Sequence, residues 1–443
     1  MTEPTTPSAP PSPPGRRVGR RDVLVGAGAF GVGAVAAAAV SAATFGREDE
    51  HRPENHAARE SGLDPTGAGE ILQPGKGPTS GAYLQATPAN VLWGELPNRR
   101  TKPVLTVKSG AEVTVDTVSH EGILEDQGRN PVRFFGTHGV PENEVLLDAV
   151  KIAADKEHTG PGPHIVVGPV EVEGAMPGDV LKVEVLRLLR RVPYGVISNR
   201  HGRGALPGEY PEAFEKVVAY RKYFNQGNNI SIFTRVEKKD GKPRGVLPQG
   251  GLPRPPSFGL RPFMGMMGVA LDTDERLNSI PPTIGGGNID IQDLVVGATF
   301  YLPVQVPGAK FFTGDPHFAQ GHGEVALTAL EASVRPTFRL TVVKPGGDAP
   351  SPAFRYPFAE TPEFWIPIGL SDPDGEIGGL SSSLDPAMKN AVRNAMTFLT
   401  EDKKVDGPVA YAYLSAAGDF VVSQVVDRTL GVHGLIRKAD FRE

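Results

Sequence analysis

Residues 299–343 read TFYLPVQVPGAKFFTGDPHFAQGHGEVALTALEASVRPTFRLTVV, and this stretch decides the fold class. Three β-branched or aromatic runs, at 299–306, 325–332 and 337–343, have the length and composition of strands. Pro307-Gly308 ends the first run as a turn. Between the first two runs lies GDPHFAQGHGE, residues 314–324, which we interpret as a polar glycine-rich loop. The stretch therefore predicts strands joined by tight turns.

The rest of the chain follows the same pattern. Its 54 glycines and 43 prolines favour many short strands over long helices. Ser109-Gly110 separates two β-branched runs and predicts a hairpin, and Pro177-Gly178-Asp179 separates another two. One helix is expected, with Asp385 as its cap and apolar residues at spacings of three and four up to Leu399. A last strand pair is expected at 410–414 and 420–426. The fold class is mainly β, with a few helices.

The amino-terminal residues 1–43 have the three parts of a signal peptide. Arg20-Arg21 precedes an apolar, Ala- and Gly-rich run, and Val40-Ser41-Ala42 offers a small-residue cleavage site. Paired arginines before a weakly hydrophobic run predict export by the twin-arginine route to a periplasmic or extracellular location. A retained membrane anchor is the alternative, since the run is long enough to span a bilayer. After cleavage we expect no stable membrane insertion.

Composition divides the mature chain into four parts. We predict a linker at 44–80, an N-terminal β-rich domain at 81–188, a loop-rich excursion at 189–262 and a C-terminal β-rich domain at 263–443. The predicted helix near 385–403 belongs to the last part. The excursion has scattered Arg, Lys, Pro and Gly, and could cover a site.

Several classes of function are excluded by composition. The net charge of −5 gives no basic field to hold nucleic acid. The absence of cysteine excludes a cysteine nucleophile, and hence a nitrilase-type amidase, as well as thiolate metal sites. No G-x-S-x-G motif is present, and the serine run 381–383 lacks a suitable lysine, which argues against a serine mechanism.

The segment 314–324 carries the residue types of a metal-assisted hydrolase. Carboxylates, imidazoles and an amide stand within eleven residues, and His317 and His322 are spaced to converge in a loop. Carboxylate oxygens with imidazole nitrogens suit a divalent metal, with zinc favoured and calcium as the alternative. Such an ion lowers the pKa of water, and Glu324 is the best candidate for a general base. The other interpretation is that these residues only form turns.

Five segments in order resemble the acetamidase/formamidase family. They cover most of the mature sequence and lie at 93–122, 162–185, 263–270, 281–331 and 413–427, including GPVEVEGAMPGD and IGGGNIDIQD. The resemblance implies hydrolysis of a short-chain aliphatic amide, of the formamide or acetamide type, to ammonia and a carboxylate. It also implies a mainly β, two-part sandwich- or barrel-like architecture, a small-molecule amide as partner, and a homo-oligomer.

The resemblance carries site residues over position by position. Asn288 and Asp290 match the family's GGN-x-D pattern, while Asp315, His317 and Gln320 match GD-x-H-x-x-QG, and Glu324 matches its closing glutamate. We predict metal ligands at Asp290, Asp315 and His317, catalytic residues at Glu324, His322 and Gln320, and substrate-binding residues at Asn288, His120 and His164.

One position departs from the family pattern. The family usually reads QGDGE, whereas this chain reads Gln320-Gly321-His322-Gly323-Glu324. An imidazole in place of an acid would change the charge of a metal site by one unit. The departure leaves open a non-catalytic protein that binds a small molecule or a metal. We expect solvent or packing roles for His138, His158, His201 and His433, and solvation for the basic patch at Arg200–Arg203.

Overall fold

The centre of the quoted stretch is a buried strand and not a loop. The computed structural model describes residues 71–372 and 383–441, and in it Phe311–Ala319 forms a single strand. Asp315 and His317 are two residues apart, so their side chains point to the same face. The loop prediction was wrong for residues 314–319, because the glycines and polar residues concealed this two-residue period, whereas residues 320–324 do lie in the connection between two strands.

The described chain contains 22 strands and four α-helices. The first eleven strands are β1 (Ala82–Leu84), β2 (Val91–Trp93), β3 (Glu95–Leu96), β4 (Leu105–Val107), β5 (Ala111–Val115), β6 (Ile165–Val172), β7 (Val180–Arg190), β8 (Tyr194–Asn199), β9 (Ile230–Lys239), β10 (Lys242–Val246) and β11 (Ser257–Gly259). The second eleven are β12 (Phe263–Val269), β13 (Leu277–Asn278), β14 (Gly286–Asn288), β15 (Thr299–Pro303), β16 (Phe311–Ala319), β17 (Leu330–Glu331), β18 (Val334–Val343), β19 (Phe358–Glu360), β20 (Phe364–Leu370), β21 (Asp419–Gln424) and β22 (Gly431–Arg437). The helices are α1 (Pro131–Gly136), α2 (Leu147–Asp155), α3 (Leu384–Thr397) and α4 (Gly407–Ala417).

Two large sheets make up the fold, which confirms the mainly β prediction. A nine-stranded sheet has the order β1-β5-β18-β7-β15-β19-β20-β22-β21. An eleven-stranded sheet has the order β11-β10-β9-β8-β17-β16-β12-β14, and β6 joins β2 and β4 to β16. One hydrophobic cluster contains residues of both sheets, and Phe311 of one sheet meets Phe338 of the other edge to face, with ring centroids 5.4 Å apart. The core therefore lies where the two sheets pack together.

Strands from the two predicted β-rich regions interleave. The nine-stranded sheet takes β1, β5 and β7 from residues up to 190 and β15 and β18 from residues after 262, and all described residues fall in one compact unit, 55–443. The excursion at 189–262 is also not simply loop-rich, because it supplies β8 to β11 to the eleven-stranded sheet. Its alternating β-branched residues, as in ISIFTRV from Ile230, carried this signal.

The turn at Ser109-Gly110 does not close a hairpin. The preceding strand β4 pairs in parallel with β6 of the eleven-stranded sheet, whereas β5 pairs with β1 and β18 of the other sheet. The turn instead carries the chain between sheets, and it is anchored where Gly110 N donates to Leu340 O and Ser109 Oγ accepts from Val342 N. A turn signal between two strands fixes a reversal, but it does not fix their partners.

The carboxyl-terminal helices differ in detail from the prediction. The cap of α3 is Ser383, whose hydroxyl accepts from Asp385 N, and a π-helical turn at Phe398–Asp402 extends the helix. Its buried face consists of alanines because β20 lies very close, with Gly369 directly beneath Ala387 and Ala391. Residues 410–414 form part of α4 and not a strand, since Pro408 and an alanine-rich sequence favour a helix. Strand β21 pairs with β22 instead.

The predicted signal peptide at 1–43 and most of the predicted linker lie outside the described residues. Within 71–372 and 383–441, none of the helices has the length and apolarity needed to cross a membrane.

Of the strand predicted at 325–332, only Leu330–Glu331 is a strand, which is β17. The other residues of this segment form turns, bends and irregular chain.

Candidate active site

Strands β16 and β17 bring three ionisable side chains together. His317 lies directly opposite Glu331 in the strand register, and its Nε2 is 3.0 Å from Glu331 Oε1 and 3.0 Å from Asp315 Oδ2. All three residues are buried. Cross-strand neighbours and residues two apart on a strand share one face, so the sheet itself assembles this cluster.

A glycine on the adjacent strand β12 makes room for these polar groups. Gly265 lies between the register pairs Met264–Pro316 and Met266–Gly314, which places it beside Asp315. A β-carbon at position 265 would lie 2.6 Å from Asp290 Oδ1, 2.7 Å from His317 Cε1 and 2.8 Å from Asp315 Oδ2. Only glycine fits where three buried side chains approach the backbone so closely.

Hydrogen-bond acceptors face both ring nitrogens of His317. Gln320 donates its amide Nε2 to the carbonyl oxygens of Asp290 and Ser423, so its Oε1 is fixed as an acceptor facing His317 Nδ1 at 3.0 Å. The other nitrogen faces two carboxylates. Burial opposes the charge on His317, but Glu331 and Asp315 outweigh it and raise the pKa of His317 well above its ordinary value. His317 also belongs to two groups of buried side chains that could hold a metal ion, one with Asp290 and Asp315 and one with Glu324 and Glu331, so its predicted ligand role stays a prediction.

Two histidines form a second wall around Asp315. His120 Nδ1 lies 3.4 Å and His164 Nε2 lies 3.8 Å from Asp315 Oδ1, and their rings meet edge to face at 5.2 Å. Burial is the main cause that lowers the pKa of His164 to about 4, so its imidazole is neutral. His164 Nδ1 lies 3.1 Å from the Ser279 carbonyl oxygen, which can only accept, and this leaves the Nε2 lone pair facing Asp315. Two acceptors therefore converge without a proton between them.

The electrostatics of His120 and Asp315 are opposite to those of His164. Burial opposes the charge on His120, but contacts with Asp315 and Glu121 raise the pKa of His120 to about 10. Burial also opposes ionisation of Asp315, yet His317, His164 and His120 together hold the pKa of Asp315 well below its ordinary value. Asp315 is therefore a buried carboxylate anion surrounded by imidazoles.

An adjoining group consists of oxygen ligands alone. Asp290, Glu324 and Asp427 each bring a carboxylate oxygen to within 4.8 Å of the other two. Burial and the neighbouring carboxylates raise the pKa of all three well above the ordinary values. Asp290 follows β14, Glu324 lies in the loop between β16 and β17, and Asp427 follows β21. Three segments distant in sequence thus bring three carboxylates together. Their mutual repulsion destabilises the folded state unless a cation or shared protons reduce the negative charge.

Backbone strain marks the same residues. Asp290, Asp315 and Glu324 have φ angles of 51°, 50° and 48°, in the left-handed region that non-glycine residues rarely occupy. Such strain costs about 1–3 kcal/mol per residue and persists where the surrounding structure requires it. In this protein the strained backbone conformation orients the carboxylates of these three residues toward one buried region.

The residues fit a divalent cation. Buried side-chain atoms without a hydrogen-bond partner among the described residues include both carboxylate oxygens of Asp290 and one oxygen each of Asp315, Glu331 and Asp427, together with His120 Nδ1. Buried polar atoms are otherwise almost always paired, so a concentration of unpaired acceptors points to a positively charged group. The group His120, His164 and Asp315 has the mixed N and O donors of a zinc site, whereas Asp290, Glu324 and Asp427 have the oxygen-only donors that calcium prefers.

A cavity of about 340 Å³ opens onto these groups. Among the predicted site residues it is lined by His120, His164, Asn288, Asp315 and Glu324. Asp290, His317 and Gln320 are not in its lining. His317 contacts the lining residues Asp315 and Glu331, and Gln320 contacts His317 and Asp290. Asn288 Oδ1 is buried and unpaired, so it offers an acceptor to a molecule in the cavity. The same cavity therefore contains candidate metal ligands and a hydrogen-bond acceptor for a polar substrate.

His322 is not part of the cluster. It is exposed and does not line the cavity, and its ring lies 5.7 Å from that of His433. His317 and His322 therefore do not converge, because the strand ends at Ala319 and a turn follows. The family departure at this position lies outside the buried site, which removes the reason for expecting an altered metal charge.

The other histidines and the basic patch have structural partners. His138 stacks on Phe233 at 4.6 Å, and buried His433 Nδ1 contacts Ser423 Oγ at 2.8 Å. His158, which we expected to be solvated, stacks on Trp93 at 4.8 Å and lines the cavity. Arg200 also lines the cavity instead of being merely solvated.

Three site residues were missed in the sequence. Glu331 and Asp427 are the final residues of the two matching segments 281–331 and 413–427, and both line the cavity. Their position at the ends of the matching segments could have suggested a role in the site. The sequence around a single acidic residue, however, does not show that the residue is buried. Gly265 lies in FMGMMGVA, where a glycine within an apolar strand signals close approach of a backbone or a ligand.

Comparison with known proteins supports the predicted resemblance. Residues 272–430 match the model of the Acetamidase/Formamidase family. A Schizosaccharomyces pombe protein provisionally named as a formamidase is 29% identical over 224 residues, covering 41% of this chain and 52% of that protein. An acetamidase of Mycolicibacterium smegmatis is 25% identical over 285 residues, covering 53% of this chain and 69% of that protein. The matched part of the chain thus spans about half the length of the first relative and about two thirds of the second.

The fold agrees with a solved structure. The structure of an acetamidase from Yersinia enterocolitica superposes with a TM-score of 0.59 at 22% identity, covering 83% of this chain and 95% of that one. At this identity the likeness concerns the fold alone. Together with the family match, it confirms the mainly β architecture and the resemblance to the acetamidase/formamidase family.

Proposed function

We propose that this chain hydrolyses a short-chain aliphatic amide to ammonia and a carboxylate with the help of a divalent metal. The observation that carries the proposal is the convergence of unpaired buried carboxylate oxygens from Asp315, Glu331 and Asp427 on one cavity. The family match of residues 272–430 and the names of the relatives supply the reaction class.

The metal part rests on four overlapping groups of buried donors, two of which contain His317. His120, His164 and Asp315 would hold a zinc-like ion, and Asp290, Glu324 and Asp427 would suit calcium. When bound, such a cation supplies a Lewis acid that polarises the amide carbonyl and lowers the pKa of water. His317 and Gln320 act from behind, since they orient Asp315 and Glu331 through the contacts described above.

The chain's own residues account for substrate orientation and proton transfer. Asn288 Oδ1 accepts an N–H of the substrate amide, because it is a buried acceptor without another partner. Glu324 and Glu331 are the two buried glutamates in the cavity lining. One of them takes a proton from the attacking water, and the proton passes to the departing nitrogen as ammonia. Burial raises the pKa of Glu331 to about 7, despite the opposing contact with His317, and its Oε2 is unpaired. Glu331 is therefore a second candidate for the base beside the predicted Glu324.

The test measures ammonia release from formamide and acetamide. Purified protein is assayed as prepared, after chelation, and after chelation followed by added zinc or calcium. We expect turnover that chelation abolishes and one of the two metals restores. Correctly folded, metal-loaded protein that releases no ammonia from either amide would contradict the enzyme proposal. Turnover that chelation leaves unchanged would contradict only the metal part.

We also propose export by the twin-arginine route and assembly as a homo-oligomer. The support for export is the sequence of residues 16–43, with Arg20-Arg21 before its apolar run. Cell fractionation of the full chain beside an Arg20→Lys, Arg21→Lys variant tests it. We expect the variant to remain in the cytoplasm, and equal distribution of the two would contradict the proposal. Light scattering of the mature protein tests the oligomer.

A further inference from the structure

The outer wall of the cavity comes from the loop that follows β8. Asn199 Nδ2 donates to Ala326 O at 2.9 Å, and Ala205 N donates to Val325 O at 2.9 Å. These bonds fasten the loop at residues 199–205 to the segment that directly follows Glu324. Arg200 and Arg203 both line the cavity from this loop. The basic patch is therefore fixed next to the proposed catalytic carboxylates.

Arg200 is neutralised by acids. Its guanidinium contacts Glu121 Oε1 at 2.8 Å and Asp126 Oδ2 at 2.9 Å. Asp126 also accepts from Asn229 Nδ2 at 3.0 Å. The exposed acid in the lining, Glu125, faces His158 at 3.0 Å. Each of these charged groups already has a partner.

Arg203 differs from its neighbours. It is exposed, and its guanidinium makes no hydrogen bond or ion pair with any residue that the structure describes, although its backbone N is held by Arg200 O at 3.0 Å. A guanidinium presents a fork of N–H donors that matches a carboxylate. The cavity lining thus has an unpaired cation that is exposed to solvent, whereas the proposed metal ligands in the same lining are buried.

The space between the two ends is larger than a formamide or acetamide needs. Acetamide has four non-hydrogen atoms, whereas the cavity of about 340 Å³ is in the size range of pockets that hold much larger ligands. Four apolar side chains also line it, namely those of Leu124, Ile280, Leu327 and Val426. A lining that combines an exposed cation, apolar side chains and buried carboxylates suits a molecule with two polar termini and a short aliphatic chain.

We propose that the substrate is the monoamide of a short dicarboxylic acid, whose amide lies at the carboxylate cluster and whose free carboxylate binds Arg203. The inference rests on the proposed amide hydrolysis and narrows its substrate class. Arg203 is thereby a specificity-determining residue that contacts the substrate at the end remote from the reaction.

The experiment compares succinamate with succinamide, its neutral diamide of equal size. We expect kcat/KM of the wild-type protein to be about tenfold higher for succinamate, since charged hydrogen bonds are the strong ones. Arg203→Gln should lower the succinamate-to-succinamide ratio about tenfold, and Arg203→Lys should restore part of it. Arg254→Gln is the matched control, because Arg254 is an exposed arginine of the same excursion outside the cavity lining.

The outcomes separate this inference from the proposed function. If amides are hydrolysed but Arg203→Gln keeps the wild-type ratio, the inference is overturned while amide hydrolysis stands. If no amide is hydrolysed, the proposed function fails, and calorimetric titration of succinamate into wild-type and Arg203→Gln protein still tests the carboxylate contact. Weaker binding to the variant supports that contact, and equal or absent binding overturns it.

Discussion

At the scale of single residues, a missing side chain is as important as the charged ones. Gly265 leaves the space that Asp290, Asp315 and His317 fill, so Gly265→Ala would force a methyl group against all three. We expect a loss of amide turnover of about 10²-fold, because displacement of reacting groups by about 1 Å has that effect. Gly259→Ala is the control, since a β-carbon there meets no atom within 4 Å. Wild-type turnover of Gly265→Ala, with both variants folded by circular dichroism, would contradict the packing argument.

Two glutamates compete for the role of base, and isosteric amides distinguish them. Glu324 lies with Asp290 and Asp427, whereas Glu331 contacts His317. The true base, replaced by glutamine, should lose about 10²–10⁴-fold in kcat with its metal content retained. A ligand replaced in the same way should lose metal as well. Metal analysis beside kinetics of Glu324→Gln and Glu331→Gln gives the assignment. Near-wild-type kcat in both variants would show that neither is the base.

His322 tests how far a family pattern can be interpreted without a structure. Because the side chain is exposed and outside the cavity lining, His322→Asp should change kcat/KM by about twofold or less, as is typical of surface substitutions. The substitution restores the family's usual residue. A tenfold change in either direction on acetamide would mean that this position acts on the site after all.

At the scale of elements, the hydrogen bonds between two loops support the site, and one of them is made by a side chain. The bond from Asn199 to Ala326 O connects the end of β8 to the segment between Glu324 and β17. Asn199→Ala should destabilise the fold by about 1 kcal/mol and raise KM severalfold, because the loop that carries Arg200 and Arg203 is loosened. Gln249→Ala removes an amide that bonds only to nearby exposed carbonyls, and it serves as the control. An unchanged KM for Asn199→Ala, with the expected loss of stability, would show that the contact has a structural role alone.

The elements also show what the sequence could predict. The β-branched runs near 299–306 and 337–343 predicted β15 and β18 well, since local composition determines whether a segment is a strand. Pairing was not predictable in the same way, and the chain around Gly110 changes sheets where a hairpin was expected. The strand β16 was interpreted as a loop because functional polar residues break the usual strand composition. Local signals identify the strands, while tertiary packing selects their partners.

The candidate site was predictable in part for the same reason. Asp290, Asp315 and Glu324 are close in a segment of recognisable pattern, and the structure brings them into one buried region. Asp427 comes from beyond β21, about a hundred residues later in the chain, and no local pattern shows that distant acids converge. The orientation of His317 depends on the amide of Gln320 and on Glu331. These contacts, which raise the pKa of His317, come from the three-dimensional structure and could not be predicted from the sequence.

At the scale of the whole molecule, the carboxylate cluster couples metal binding to folding. Asp315 and Glu331 lie in β16 and β17, while Asp290 and Asp427 follow β14 and β21, and these strands belong to both large sheets. A cation that bridges residues from these strands binds the folded chain and not the unfolded one, so it stabilises the fold by about 2.7 kcal/mol at a concentration of 100 times Kd. Chelation should therefore lower Tm by several degrees, and the metal that restores turnover should also restore Tm. The same measurement on Asp290→Asn should show a smaller difference between chelated and loaded protein, because the carboxylate group has lost one ligand. An equal difference in the variant would place the stabilising ion elsewhere.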